Sequence, residues 1–291
     1  MTGKIVCIDL GGTKALCGVA HQGVVSNVKR YPVPSAATKQ EVTDFLIEVI
    51  SHSFTAECNG IAIGIPGVVD SESGYVFEVT NIPSWKNIHL SHILKKRFNV
   101  PVLVHNDVNC FAYGEFKYGA HFDRGRPCQT ILGVCLGTGL GAGIVIAGQI
   151  YTGKKGLAGE FGSAPYLQQT IEDYCSGQFF RNLGTDGEHE YQLALAGDKR
   201  ALNLFEQLGS HLGVAIAHMQ LAYDPDVIVL GGSVSNSYHL FESSMRARFA
   251  QFDQCDHLTI NISTLPNSPL VGACELFYQR FGSEVKPPEP A

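Results

Sequence analysis

The chain has 291 residues, enough for two domains of ordinary size or one large one. Hydrophobic residues make up 45% and charged residues 16%, a balance that excludes an intrinsically disordered chain. The formal charge of −6 leaves no electrostatic footprint for nucleic acid or anionic membrane, and no stretch approaches the ~18 apolar residues of a membrane span. The nine cysteines are scattered, with no Cys-x-x-Cys pair, and several, such as Cys7 and Cys135, sit inside apolar runs. Odd in number and without a secretory leader, they predict a reducing, cytoplasmic setting.

Taken in order, Ile5–Leu10 and Ala15–Ala20 are apolar runs joined by Gly11-Gly12-Thr13-Lys14. This reads as strand, tight turn, strand, with small residues where a ligand can approach the backbone. Successive N–H groups in such a turn can form an anion-binding nest, and Asp9 stands where a carboxylate can hold Mg²⁺ through water. The alternative is an ordinary hairpin whose glycines only make the turn. The first strand starts at residue 4 or 5, which leaves no room for an N-terminal DNA-binding module. Residues 23–32 read as a third strand and 39–54 as an amphipathic helix. A buried strand over 61–65 stops at Pro66-Gly67. Residues 68–80 contain a turn at Ser73-Gly74, and the loop that follows holds Asn81 and Trp85, the latter a packing anchor. A helix over 90–98 leads to a strand at 102–105 that ends on Asn106-Asp107, and another helix runs from 108 to about 118. Gly119–Cys128 breaks all periodicity and predicts a domain boundary.

Residues 131–146 then repeat the opening pattern, with a Gly137-Thr138-Gly139 turn between apolar strands. Two such units predict two related lobes, each offering a backbone nest to one ligand between them; a triphosphate is the simplest. A glycine-dense loop spans Thr152–Gly162. Helices are predicted over 171–181 and 198–223, the latter stopped by Asp224-Pro225. A buried strand at 227–230 runs into Gly231-Gly232-Ser233. A helix over 238–251, a strand over 258–262 and a final helix over 269–281 precede a Pro-rich tail predicted to be disordered.

Asp107, at a strand end and opening a helix, can accept a proton from a substrate hydroxyl, although Asn106 or Asp107 can equally be a helix cap. Glu160, inside the glycine-dense loop, suits sugar hydroxyls or is a solvated carboxylate. Glu172 is a ligand group or an acid favourably placed at a helix N-terminus. Lys14 can touch phosphate or is an exposed strand lysine. Gly231-Gly232 can let an adenosine lie flat on the backbone. The eleven histidines show no metal-ligand spacing.

Six motifs occur in order: Asp9-Leu-Gly-Gly-Thr-Lys14, Gly64-Ile-Pro-Gly67, His105-Asn-Asp-Val-Asn109, Leu136-Gly-Thr-Gly-Leu-Gly-Ala-Gly143, Gly159-Glu-Phe-Gly162 and Asp224-Pro-Asp-Val-Ile-Val-Leu-Gly-Gly232. Together they resemble the ROK family of bacterial sugar kinases and sugar-responsive repressors over residues 4–282. The resemblance implies an α/β, two-lobed, actin-like or hexokinase-like (ribonuclease H-like) ATPase fold. Its lobes would be 1–118 plus 268–282, and 119–267, with 283–291 as the tail. It further implies that Asp107 is the general base and that Gly67, Asn81, Asn106, Glu160 and Glu172 bind the sugar. Gly11, Gly12, Thr13 and Lys14, with Gly137, Thr138 and Gly139, would hold the ATP phosphates; Asp9 would face Mg²⁺ and Gly231-Gly232 the adenosine. A homodimer is also implied. One departure stands out: Ser163 replaces the family's histidine, and 164–171 is too short and lacks the cysteines of the family's structural zinc segment. No zinc site is expected, and Glu172 must be positioned by local packing.

The expected function is therefore ATP–Mg²⁺-dependent phosphorylation of a hexose or N-acetylhexosamine. Glucose comes first, with N-acetylmannosamine, N-acetylglucosamine and fructose behind it. A non-catalytic sugar-sensing regulator is the alternative, and an acetate-type kinase or nucleotide hydrolase of the same fold is the third possibility.

Overall fold

The computed structural model describes residues 3–119, 128–252 and 258–282, so Cys255, the expected tail and most of the expected boundary segment lie outside the described residues. The chain forms two compact units. Among the described residues one comprises 3–119, 152–157 and 265–282, the other 128–151, 158–252 and 258–264.

The first unit is built on β1 (Lys4–Leu10), β2 (Lys14–His21), β3 (Val24–Pro32), α1 (Lys39–Ser51), β4 (Cys58–Ile65), β5 (Gly67–Asp70), β6 (Tyr75–Val79), β7 (Lys86–Ile88), α2 (Leu90–Phe98), β8 (Val102–Asn106) and α3 (Asp107–Tyr118). Its main sheet has the order β3-β2-β1-β4-β8; β1, β4 and β8 run parallel and the β1–β2–β3 meander antiparallel. The parallel strands are apolar on both faces, as strands covered on both sides must be. Helix α1 opens with a Thr38–Glu41 capping box and buries Val42, Leu46, Val49 and Ile50 against the sheet. Trp85 is fully buried, and its indole N–H lies 3.3 Å from both Lys39 O and Thr43 Oγ1, which makes it the packing anchor expected. Strands β5–β7 form a small antiparallel sheet where the sequence signalled only a turn.

The last helix, Ser268–Phe281, returns to this unit and packs on α3. Its approach is close enough that a Cβ on Gly272 would stand 1.7 Å from Cys110 O, so glycine is required there. The Ser268 hydroxyl donates to Phe111 O at 3.1 Å, and Phe277 lies over Gly60.

The second unit repeats the scheme with β9 (Thr130–Leu136), β10 (Leu140–Ile146), β11 (Gln149–Ile150), β12 (Pro165–Tyr166), β13 (Gln169–Thr170), α4 (Ile171–Cys175), α5 (Gly177–Asn182), α6 (Gly187–Leu195), α7 (Lys199–Tyr223), β14 (Val227–Gly231), α8 (Tyr238–Phe249) and β15 (Thr259–Ile262). The main sheet runs β11-β10-β9-β14-β15, again an antiparallel hairpin beside three parallel strands. Helices α7 and α8 cover it, meeting at Gly209 and Gly213, where a Cβ would press on Phe241 O and Met245 O at 2.5 Å. The single helix expected over 171–181 is two helices. Ser176 leaves helical geometry (φ −135°, ψ −171°) so that its hydroxyl can cap α5 at Gln178 N. No described helix is long and apolar enough to cross a membrane.

Candidate active site

In the first unit the sheet register fixes the site. Asp9 pairs with Gly64 and Gly64 with His105, so these residues form one row across the C-terminal ends of β1, β4 and β8. At about 4.8 Å per strand, Asp9 and His105 are roughly 10 Å apart along that row. Asn106 and Asp107 follow directly. Open parallel sheets gather ligand groups at this edge because the chain must leave the layer there.

Asn106 supplies the helix cap, its side chain accepting from Asn109 N at 3.0 Å, while its Nδ2 donates to Gly67 O at 3.3 Å. Asp107 thus occupies the first helical position, where the exposed N–H groups favour a carboxylate, and its Oδ1 accepts from Val108 N at 2.9 Å. Beneath it lies the buried thiol of Cys110, pushed well up by burial and by the charges of Asp107 and Asp9. Asp107 also lies over Gly64, the register partner of Asp9: a Cβ on Gly64 would stand 3.2 Å from Asp107 Cα and 3.5 Å from Cys110 Sγ. Burial raises the Asp9 carboxyl to about 6, with Lys14 opposing. The buried His105 accepts the Asn106 N–H on Nδ1 at 2.9 Å, and burial lowers its pKa to about 4, so it is a neutral positioning group near pH 7.

The turn after β1 is closed by Gly11 N donating to Lys14 O at 2.9 Å, and Thr13 and Lys14 are exposed. Asn81 lies over this turn: a Cβ on Gly12 would stand 2.2 Å from Asn81 Cβ. Gly67 answers to packing, since a Cβ there would stand 2.1 Å from Glu78 O.

In the second unit the Gly137–Gly139 turn closes on itself through Gly137 N to Gly139 O at 3.0 Å. Glu172 is drawn against it, accepting from Leu140 N on Oε2 at 3.2 Å; a Cβ on Gly139 would stand 2.3 Å from that oxygen. Ser176 ties the same turn down. Its hydroxyl lies 3.1 Å from Thr138 O and 2.7 Å from Glu172 O, and Gly177 N donates to Gly137 O at 2.8 Å. Glu172 is thereby fixed by the Thr170–Asp173 capping box of α4 and by Ser176, after a two-stranded β12–β13 hairpin occupying 165–170.

Gly159 (φ +95°) packs under Ala142 O, which presents the exposed Glu160 at the edge of β10. The Glu160 carboxyl is raised by desolvation first and by the charge of Glu172 second. Gly231 pairs with Cys135, and Gly232 (φ +86°) lies against Leu136, directly before the Gly137 turn. The structure therefore brings Gly137–Gly139, Glu160, Glu172 and Gly231-Gly232 together in this unit, and Asp9, Gly11–Lys14, Gly67, Asn81, Asn106 and Asp107 in the other.

The sequence reading gave two residues no role of their own. Cys110 follows Asp107 by three positions, the helical spacing that places it under the carboxylate. Ser176 follows Glu172 by four, the spacing of a hydroxyl bonding back along a helix. Among the described residues no group of three or more His, Cys, Asp or Glu side chains is placed to hold a metal ion.

The ROK family model matches residues 5–280. Curated relatives include the glucokinase of Thermotoga maritima, 25% identical over 96% of this chain and 98% of its own. The N-acetyl-D-glucosamine kinase of Vibrio cholerae is 30% identical over 82% and 87%. Among solved structures, a ROK family glucokinase from Streptomyces griseus in complex with glucose and AMPPNP superposes with a TM-score of 0.81 at 26% identity, covering 95% of this chain and all of that one. A ROK family transcriptional regulator, a homologue of the E. coli MLC protein, gives 0.83 at 23% identity over 95% and 78%. The fold is the actin-like, hexokinase-like α/β fold. The chain belongs to the ROK family.

Proposed function

We propose that this protein is an ATP-dependent kinase that transfers the γ-phosphate to a hydroxyl of a hexose or N-acetylhexosamine, with glucose the first acceptor to try. One observation carries this reading: Asp9 pairs with Gly64, and Asp107 lies against that same Gly64, at the strand edge that leads into the Gly11–Thr13 turn. The relatives named as glucokinase and N-acetyl-D-glucosamine kinase support the acceptor class. Asp107 takes the proton of the acceptor hydroxyl as its oxygen attacks the γ-phosphorus, and ADP leaves. Asn106, Glu160, Glu172, Gly67 and Asn81 hold the sugar, the Glu172 Oε1 remaining for it while Oε2 holds the turn. Backbone N–H groups of Gly11–Thr13 and Gly137–Gly139, with Lys14, hold the phosphates, and Gly231-Gly232 leave room for adenosine.

Mg²⁺ fits this arrangement. Burial lifts the Asp9 carboxyl to about 6, a desolvation cost that a hard divalent cation relieves. When bound, the ion neutralises phosphate charge. Most of the rate then comes from alignment by the residues named above.

A sugar-sensing regulator is the second reading, favoured by a relative named "Putative xylose repressor", from Caldicellulosiruptor, that is 30% identical over 74% of this chain and 61% of its own. A coupled assay of ADP release separates the possibilities: release only with sugar is expected, release without sugar marks a hydrolase, and none over a panel of sugars marks a sensor. A second test addresses the nucleotide alone. A Cβ at Gly137 meets nothing within 4 Å, so Gly137→Ala is expected to fold with an unchanged melting temperature. With phosphate packed on that turn, the same substitution is expected to weaken AMPPNP binding about tenfold, read by calorimetry. Undiminished binding would remove Gly137 from the phosphate site.

A further inference from the structure

A cavity of about 740 Å³ in the first unit is lined by none of the residues assigned to ATP or acceptor. Its walls are β5, the Asp70–Glu72 turn and β6 on one side and the loop 152–157 on the other. That loop lies against β5, for Gly156 (φ +74°) brings its backbone to Val69 O, where a Cβ would stand 3.2 Å away. The opposite wall is equally fixed. The Arg280 guanidinium donates to Ser71 O and Glu72 O, and Asp70 is occupied by the Ser73 hydroxyl at 2.5 Å and Glu72 N at 3.1 Å.

The side chains left over are a coherent set. Phe77 is 45% exposed and Leu157 58%, two large apolar groups facing one space. Tyr75 holds the Phe77 ring edge-on, with centroids 5.0 Å apart. Lys154 and Lys155 line the same space, as do Thr152 and Glu72; among the described residues neither lysine nor the Glu72 carboxylate has a hydrogen-bond or ion-pair partner. An aromatic face and a leucine suit the C–H face of a pyranose, a carboxylate and a hydroxyl suit its hydroxyl groups, and two ammonium groups suit a phosphate. The volume lies within the ~300–1,000 Å³ usual for small-molecule sites.

We propose that this cavity is a second binding site, for a phosphorylated monosaccharide. It gives a sugar kinase a place to register its own class of product apart from the reacting groups, yet the site stands on its lining and does not depend on the kinase reading.

The probe is glucose 6-phosphate, titrated by calorimetry into the full chain in the presence of saturating AMPPNP and glucose. Saturable binding is expected at one site per chain. Lys154→Glu combined with Lys155→Glu is expected to weaken it at least about tenfold, as for the loss of charged hydrogen bonds. Both lysines are exposed, so the melting temperature should hold, and glucose and AMPPNP affinities should be unchanged. Phe77→Ala should weaken the probe severalfold, and inorganic phosphate should bind at least about tenfold more weakly than the sugar phosphate. Binding that ignores the lysine substitutions, equal affinity for inorganic phosphate, or no binding at millimolar probe would each overturn the proposal. A chain that binds the probe through these lysines but never turns over ATP would overturn the kinase reading alone.

Discussion

Asp107→Asn is expected to lower kcat by about 10²- to 10⁴-fold while leaving sugar affinity nearly unchanged. The substitution removes the proton-accepting charge and keeps the shape, and asparagine is tolerated at the start of a helix. The cap itself is not at risk, because Asn106 rather than Asp107 supplies it. The variant should therefore be folded, sugar-binding and slow. Steady-state rates with a coupled assay, paired with calorimetric glucose titration, read both quantities; wild-type kcat in the variant would remove Asp107 as the base.

Gly232→Ala should fail for a different reason. At φ +86° and ψ 173° the residue occupies a region essentially reserved for glycine, and a Cβ would stand 2.4 Å from Leu136 O and 2.8 Å from Leu136 N. The neighbour is backbone in the centre of the sheet and has no rotamer to change. Conformational strain and overpacking together cost about 2–6 kcal/mol. A loss on the order of 10 °C in the melting of the second unit is expected, together with loss of nucleotide binding, since Leu136 leads directly into the Gly137 turn. Calorimetric melting with and without AMPPNP tests it; an unshifted transition would contradict the backbone conformation described. Read beside Gly137→Ala, it separates a glycine the fold demands from one only a ligand would demand.

Much of this was legible in the sequence because it is written in local chemistry. The two strand–glycine–strand units, the Asp198-capped helix α7 with its Asp224 stop, and the Val-Ile-Val strand entering Gly231-Gly232 depend on short-range patterns and appear where those patterns put them. The choice between Asn106 and Asp107 as the cap was not legible, since both side chains suit the position and only the three-dimensional path decides. Helix α6 passed unread although Asp186 caps it locally at His189 N; the contacts of its buried Glu190 (1% exposed), with Arg200 at 3.1 Å and the Thr185 hydroxyl at 2.8 Å, are made only in the folded chain. The same holds for Ser176, whose contact with the Thr138 carbonyl spans 38 positions. The glycines that reach furthest into packing, such as Gly67 and Gly159, carry no local mark distinguishing backbone crowding from ligand clearance.

The return of the final helix to the first unit has a consequence for biosynthesis. The segment that buttresses α3, and with it the floor under Asp107, leaves the ribosome only after the whole second unit has emerged. The downstream half can thus complete its hydrophobic closure while the upstream half still waits with an uncovered seam along Cys110 and Gly114. For that interval the nascent polypeptide carries Asp107 without the support that seats its helix.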